Sequence, residues 1–239
     1  MRSPVADMSS LKKTARIAGL LYLLTCIPAP FVLIYVPNTL IVRGNATATA
    51  SRILASEWMM RLAIAGELII AVAFLFAVLA LYRLLVGVDK PLASLMVTLF
   101  ALSIPISCLN ALNNIAALIL VRGADFLSVF TKPQLDALAM VFLRLHSSGL
   151  LVAQIFWGLW LFPFGILVYR SGFIPRVLGV LLILNGFAYP IQSFISFLLP
   201  QYADVVSRIT LPVLFGEAAI ILWLLIRGVR DQPLVKAAA

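Results

Sequence analysis

Two glutamates stand inside stretches that are otherwise apolar. Glu67 interrupts the run Leu62 to Leu81, and Glu217 lies in the run Ile209 to Ile226. An ionisable group in hydrocarbon costs at least about 2.5–3.5 kcal/mol on insertion scales, so such groups usually face a bundle interior or a cavity. There a carboxylate can carry a proton, or hold a cationic or hydroxyl-bearing head group. His146 adds an imidazole, and Asn110 and Asn114, one turn apart, share a helix face with Asn113. Gln154, Asn185 and Gln192 are further polar groups in apolar surroundings. Glu67, Asn110, Asn114, His146 and Glu217 are therefore the candidate ligand-binding residues, with Arg61, Arg144 and Arg208 as an outer rim. Glu67 follows Arg61 by six residues and Glu217 follows Arg208 by nine, depths of roughly 9 and 13 Å at the helical rise. Both glutamates follow a glycine, and the expectation is that they share one cavity opening outward. The competing reading is that these groups only hydrogen-bond neighbouring helices, at about 0.6–2 kcal/mol each.

Other chemistry finds little support. There is no glycine-rich phosphate loop and no Ser-His-Asp order, so no catalytic residue is assigned. A single histidine leaves no multi-histidine metal centre, and no cofactor is expected. Cys26 and Cys108 each sit alone in an apolar run, as small packing residues do. The aromatic run Phe156, Trp157, Trp160, Phe162 and Phe164 reads as core and lipid-facing surface. The composition is 63% hydrophobic and 11% charged with mean hydropathy +1.11, against about 45–50% and about 25% in a soluble domain. The net charge of +9 comes from residues that flank apolar runs, where Lys and Arg set topology and meet anionic head groups. Membrane lipids, and a small lipophilic ligand, are the expected partners; nucleic acid is not.

What must position these groups is a set of helices. Arg144 to Pro190 holds two apolar blocks joined by a short turn carrying Arg170 and Arg176. Each block is long enough to cross a bilayer, which takes about 20 apolar residues. Six such spans are expected: Ile17 to Val36, Leu62 to Leu81, Leu92 to Val121, Leu145 to Tyr169, Val177 to Leu199 and Ile209 to Ile226. Lys12, Lys13, Arg16 and the apolar run after them could pass for a signal peptide. Because the apolar character continues to Val36, an uncleaved first span is expected. Bends are expected near Pro28, Pro105, Pro163 and Pro190, each removing a backbone bond, and the proline-free second span should be straightest. Short interfacial helices are expected in the first and third loops. One starts near Thr49, with Ile53, Leu54 and Trp58 on its apolar side. The other starts at Thr131, with Leu135, Leu138, Ala139 and Phe142 on one face. The expected class is all-α: a polytopic six-transmembrane-helix bundle at 12–228, between a disordered stretch at 1–11 and a tail at 229–239.

Eleven of the eighteen basic residues fall on the side of the termini, although the loops opposite are longer. By the positive-inside rule both termini are cytoplasmic, in the cell (inner) membrane. A weak repeat accompanies this order. Val42-Arg43-Gly44 followed by Arg61 and Gly66 parallels Val121-Arg122-Gly123 followed by Arg144 and Gly149, and Arg208 and Gly216 stand in a third copy. The bundle would then be three helical hairpins.

Arg16-Ile-Ala-Gly-Leu-Leu-Tyr-Leu, an outer helix ending in His146, and Gly216-Glu217 accompany one longer motif. It reads Phe164-Gly-Ile-Leu-Val-Tyr-Arg-Ser-Gly-Phe-Ile-Pro-Arg-Val-Leu-Gly-Val-Leu-Leu. Together they resemble the bacterial multi-pass membrane family known as domain of unknown function 4386, over nearly the whole chain from about Thr14 to Gly228. The resemblance implies a six-helix integral membrane protein and supplies no activity, substrate or catalytic residue.

Two functional readings remain open. In one, the protein binds or transports a small lipophilic or amphipathic molecule in an outward-facing polar pocket. In the other, it is a structural or regulatory membrane subunit without ligand or catalysis. The charge distribution generates a direct test of topology. Tags at both ends report cytoplasm, and labels at Thr47 and Ser128 react from outside intact cells. Labelling of Ser171 from outside would overturn the orientation.

Overall fold

A computed structural model of the chain describes residues 4–210 and 215–230. Residues 1–3, four residues within the expected sixth span and most of the expected C-terminal tail lie outside the described residues. Ten α-helices are described: α1 (Pro4–Cys26), α2 (Val36–Leu40), α3 (Ala46–Ala55), α4 (Glu57–Leu85) and α5 (Lys90–Arg122). They continue as α6 (Lys132–Leu159), α7 (Leu161–Ser171), α8 (Arg176–Leu198), α9 (Ala203–Thr210) and α10 (Phe215–Ile226). Among the described residues there is no strand. Five stretches are long and apolar enough to cross a membrane: Ser9–Leu40, Glu57–Leu85, Lys90–Arg122, Lys132–Ser171 and Arg176–Leu198. Ile69, Phe76, Leu109 and Phe187 are each more than half exposed along these stretches. That is a lipid-facing surface; a soluble protein rarely exposes contiguous apolar area of this extent. The protein is therefore an all-α, multi-pass membrane protein.

The prolines act unequally. Pro28 and Pro30 interrupt the first span, which resumes as one π turn at Phe31–Tyr35 before α2. The fourth span breaks at Trp160, between α6 and α7, three residues before Pro163. Pro105 and Pro190 instead sit inside the continuous helices α5 and α8. In two places the element bounds differ from the sequence expectation. Residues from Pro4 onward belong to α1, so most of 1–11 is helix. The apolar face at Leu135 to Phe142 begins α6, which runs unbroken to Leu159 with no proline or helix-terminating glycine between. The first-loop helix does stand alone as α3, capped by the Asn45 side chain accepting from the Ala48 N–H at 2.9 Å.

The described residues group into two compact units. One takes those in Met1–Leu23, Leu75–Ala101 and Gln154–Ala239, the other those in Leu24–Phe74 and Leu102–Ala153. The second has an apolar core that includes Val32, Ile53, Met60, Leu118 and Leu143. In the first, Trp160 stacks on Phe164 with ring centroids 5.2 Å apart and meets Phe100 edge-on at 5.5 Å. Asp89 caps α5 by accepting from the Leu92 N–H at 3.0 Å, and its other oxygen takes Arg170 at 3.2 Å.

The α7–α8 hairpin of the first unit is closed by glycine. Gly172 turns the chain at φ +72°, in the left-handed region that suits glycine. A Cβ on Gly165 would lie 2.7 Å from the Gly179 carbonyl oxygen, and one on Gly179 would lie 2.6 Å from that of Gly165. Seven residues before Gly165, at the end of α6, and seven after Gly179 on α8, a Cβ on Gly158 would lie 2.6 Å from the Gly186 carbonyl oxygen. This is the small-residue packing by which membrane helices approach closely. Gly165→Ala and Gly179→Ala should each lower stability in detergent by about 1–3 kcal/mol, as overpacking does. Gly87→Ala is the control, since its Cβ would meet nothing within 4 Å. Thermal melts in which all three behave alike would refute this contact.

Candidate functional site

The second unit brings together four of the five candidate binding residues. Glu67 on α4 and His146 on α6 are both buried, at 6% and 9% exposure. Nε2 of His146 lies 2.9 Å from one carboxylate oxygen of Glu67 and 3.1 Å from the other. Carboxyl and imidazole are placed to share one proton, with the donor and acceptor roles set by the tautomer of the ring. Asn110 of α5 donates from Nδ2 to the His146 backbone oxygen at 2.9 Å, and Asn113 donates to Asn110 Oδ1 at 3.1 Å. Gly149 makes this possible. A Cβ there would collide with the Asn110 side-chain amide, so the glycine one turn past His146 gives the asparagine its place. Gly66, beside Glu67, likewise admits Val32, which lies 2.8 Å from where its Cβ would be.

Glu67, Asn114 and His146 form the polar wall of a cavity of about 110 Å³, with Ser147 at its margin. Its remaining walls are apolar, among them Val32 and Val36 at the π turn, Leu40, Ile53, Met60 and Leu150. The irregular turn that follows Pro28 and Pro30 thus shapes one side of the cavity. π turns recur at functional sites.

Glu217 belongs to the other unit and is not among the cavity walls. Tyr22 of α1 donates its hydroxyl to Oε2 of Glu217. Asn185 Nδ2 and the Tyr189 hydroxyl of α8 donate to Oε1, at 2.7 and 2.9 Å. Three donors from two helices thus occupy most of the carboxyl group's acceptor positions. Each carboxylate is partnered within its own unit. Tyr22 and Tyr189 were not singled out in the sequence, because a tyrosine in an apolar run counts as bulk. The available signal was spacing: Tyr189 follows Asn185 by four residues and so shares its face.

The rim arginines divide as well. Arg61 pairs with Glu57 at 2.7 Å, and Arg122 reaches the same carboxylate at 3.5 Å. Arg144 lines an open cavity beside Ser147, while Arg208 is exposed on α9. Among the described residues no three His, Cys, Asp or Glu side chains group as metal ligands would.

This arrangement can hydrogen-bond a polar head at His146, Glu67 and Asn114 while an apolar body lies on aliphatic walls. The family described as Domain of unknown function (DUF4386) matches residues 17–228. An uncharacterized protein of Archaeoglobus fulgidus is 36% identical over 77 residues, which is 32% of this chain and 44% of that relative. The chain thus spans less than half of that relative's length. No solved structure matches the chain. With a match running from the first span to the end of α10, the chain belongs to the family of domain of unknown function 4386.

Proposed function

We propose that this protein binds or transports a small amphipathic molecule, held in the cavity between α2, α4 and α6 with its polar end at Glu67 and His146. The observation carrying this reading is a buried carboxylate–imidazole pair forming one wall of an otherwise apolar cavity. Ionisable groups inside spans are expensive and usually mark a ligand or ion path. A merely structural pair would be expected to close against helices and leave no space beside it.

The proposal includes the chain's disposition: six spans arranged as three hairpins, both termini cytoplasmic, in the inner membrane. Five spans are supplemented by α9 and α10, which occupy most of 203–226. The hairpin reading is supported by glycines on the second helix of each pair. Gly66 faces Val32, Gly149 faces Asn110 and Gly216 faces Leu181. Gly44 and Gly123, each ending a Val-Arg-Gly, share φ +74°.

A second reading, a structural or regulatory subunit, is favoured by Glu217. Its three donors leave it the character of a packing device. Tyr22→Phe and Tyr189→Phe should then each destabilise the protein by about 1–3 kcal/mol, the cost of leaving a buried partner without its hydrogen bond, without changing ligand retention. Loss of retention in either variant would move Glu217 into the binding site.

The binding reading is tested by native mass spectrometry of the purified protein. The wild type should carry a small amphipathic species. Ser147→Trp, which fills the cavity margin from an exposed position, should abolish it without lowering the melting temperature. Glu67→Gln should weaken retention about tenfold, as loss of one charge-assisted bond would. Equal retention in all three proteins would leave the subunit reading.

A further inference from the structure

The second unit carries six basic residues, and their partners separate them into two groups. Arg61 and Arg122 share Glu57, Lys132 pairs with Asp136, and Arg52 donates to the Thr39 carbonyl oxygen at 3.0 Å. Arg43 and Arg144 have no hydrogen-bond or ion-pair partner among the described residues. These two come from distant parts of the sequence, one in the turn after α2 and the other within α6. Both line one cavity of about 330 Å³, which has no acidic residue in its walls. That cavity is next to the smaller one: Ile41, Leu143 and Ser147 line both.

Scattered surface arginines need no explanation. Convergence of the two unpaired ones on a single acid-free cavity that shares wall residues with an apolar pocket does point to a ligand. A guanidinium presents a planar fork of donors that fits the oxygens of carboxylate or phosphate. With no carboxylate in the wall, the cavity carries two positive charges for an anion to balance. The adjacent, largely aliphatic pocket of about 110 Å³ is somewhat smaller than the roughly 150 Å³ that accommodates benzene, so it suits a short alkyl chain.

We propose that the two cavities form one site for an anionic amphiphile, with Arg43 and Arg144 holding a phosphate or carboxylate head and the apolar pocket holding its chain. This rests on the binding reading above and gives the ligand a charge. Ser147, on the border of both cavities, is where head meets chain. Glu67 and His146 lie at the far polar wall and meet whatever hydroxyl or carbonyl the chain carries. The anionic head can belong to a membrane phospholipid or to a free small amphiphile, which present the same chemistry to the arginines.

Titration calorimetry of the full chain in dodecyl maltoside, with hexyl phosphate as probe, tests this. Wild type should bind hexyl phosphate, and Arg43→Gln and Arg144→Gln should each weaken binding about tenfold, with unchanged melting temperatures. Arg52→Gln removes the same charge outside the cavities and should bind as wild type does. Inorganic phosphate should bind at least tenfold more weakly than hexyl phosphate, and equal binding would overturn the amphiphile. Hexyl phosphate binding that neither arginine variant changes would overturn the head-group assignment. If 1-hexanol binds as well as hexyl phosphate, the pocket stands and its proposed preference for anions falls. If neither binds, both this inference and the binding reading fall. Competition by dihexanoyl phosphatidylglycerol assigns the head to a lipid, and its failure to compete assigns it to a free amphiphile. Either result sustains the anionic site.

Discussion

Inside hydrocarbon there is no water to satisfy a polar group, and the arrangement of this chain follows from that constraint. Its backbone meets it by being helical wherever it spans. Its hydroxyls meet it locally: Thr98, Ser147 and Ser193 each donate to the carbonyl four residues back. The carboxylates cannot be satisfied within their own helix and must find donors on another. Glu67 finds His146, and Glu217 finds Tyr22, Asn185 and Tyr189. These side-chain pairs fix which faces of the helices meet, because lipid offers apolar faces no preference for one another over the acyl chains.

Such pairs can form only where backbones come close, which explains where the glycines fall. Gly149 vacates the space that the Asn110 amide occupies, and that amide reaches the His146 carbonyl oxygen. One small residue therefore connects packing to the polar wall of the cavity. In the other unit the pairs Gly165–Gly179 and Gly158–Gly186 repeat at two-turn spacing along antiparallel helices. Asn185 and Tyr189 flank the second pair on α8, so the approach that the glycines permit also presents both donors to Glu217.

Much of this was legible in the sequence. The apolar runs gave the spans, and the cost of burying charge singled out Glu67, His146, Asn110, Asn114 and Glu217 as groups needing partners. Pairing was not legible. Glu67 and Glu217 look equivalent along the chain, each following a glycine and each below an arginine. Their donors come from residues 79 and 195 positions away, His146 and Tyr22. Helix ends were also underdetermined. The amphipathic face at Leu135 to Phe142 reads as a surface helix, yet nothing after it can stop a helix before Trp160. Asn45, by contrast, stands right at a helix start and serves as the cap of α3.

The two carboxylates show why residue type alone does not assign a role. A carboxylate has about four acceptor positions. Glu217 fills three of them with donors held by packed helices, so a ligand there would have to displace bonds already made. Glu67 receives a single nitrogen shared between its two oxygens, and the cavity beside it is large enough for a small molecule. Spare acceptor capacity facing open space is what a binding group needs, and it is the property that distinguishes Glu67. The same accounting separates the arginines. Arg61 and Arg122 are spent on Glu57, whereas Arg43 and Arg144 keep their donors for the cavity that adjoins it. Unused hydrogen-bonding capacity is thus concentrated around two cavities that share Ile41, Leu143 and Ser147 in their walls, one with basic donors and the other with an acid–imidazole pair among aliphatic side chains.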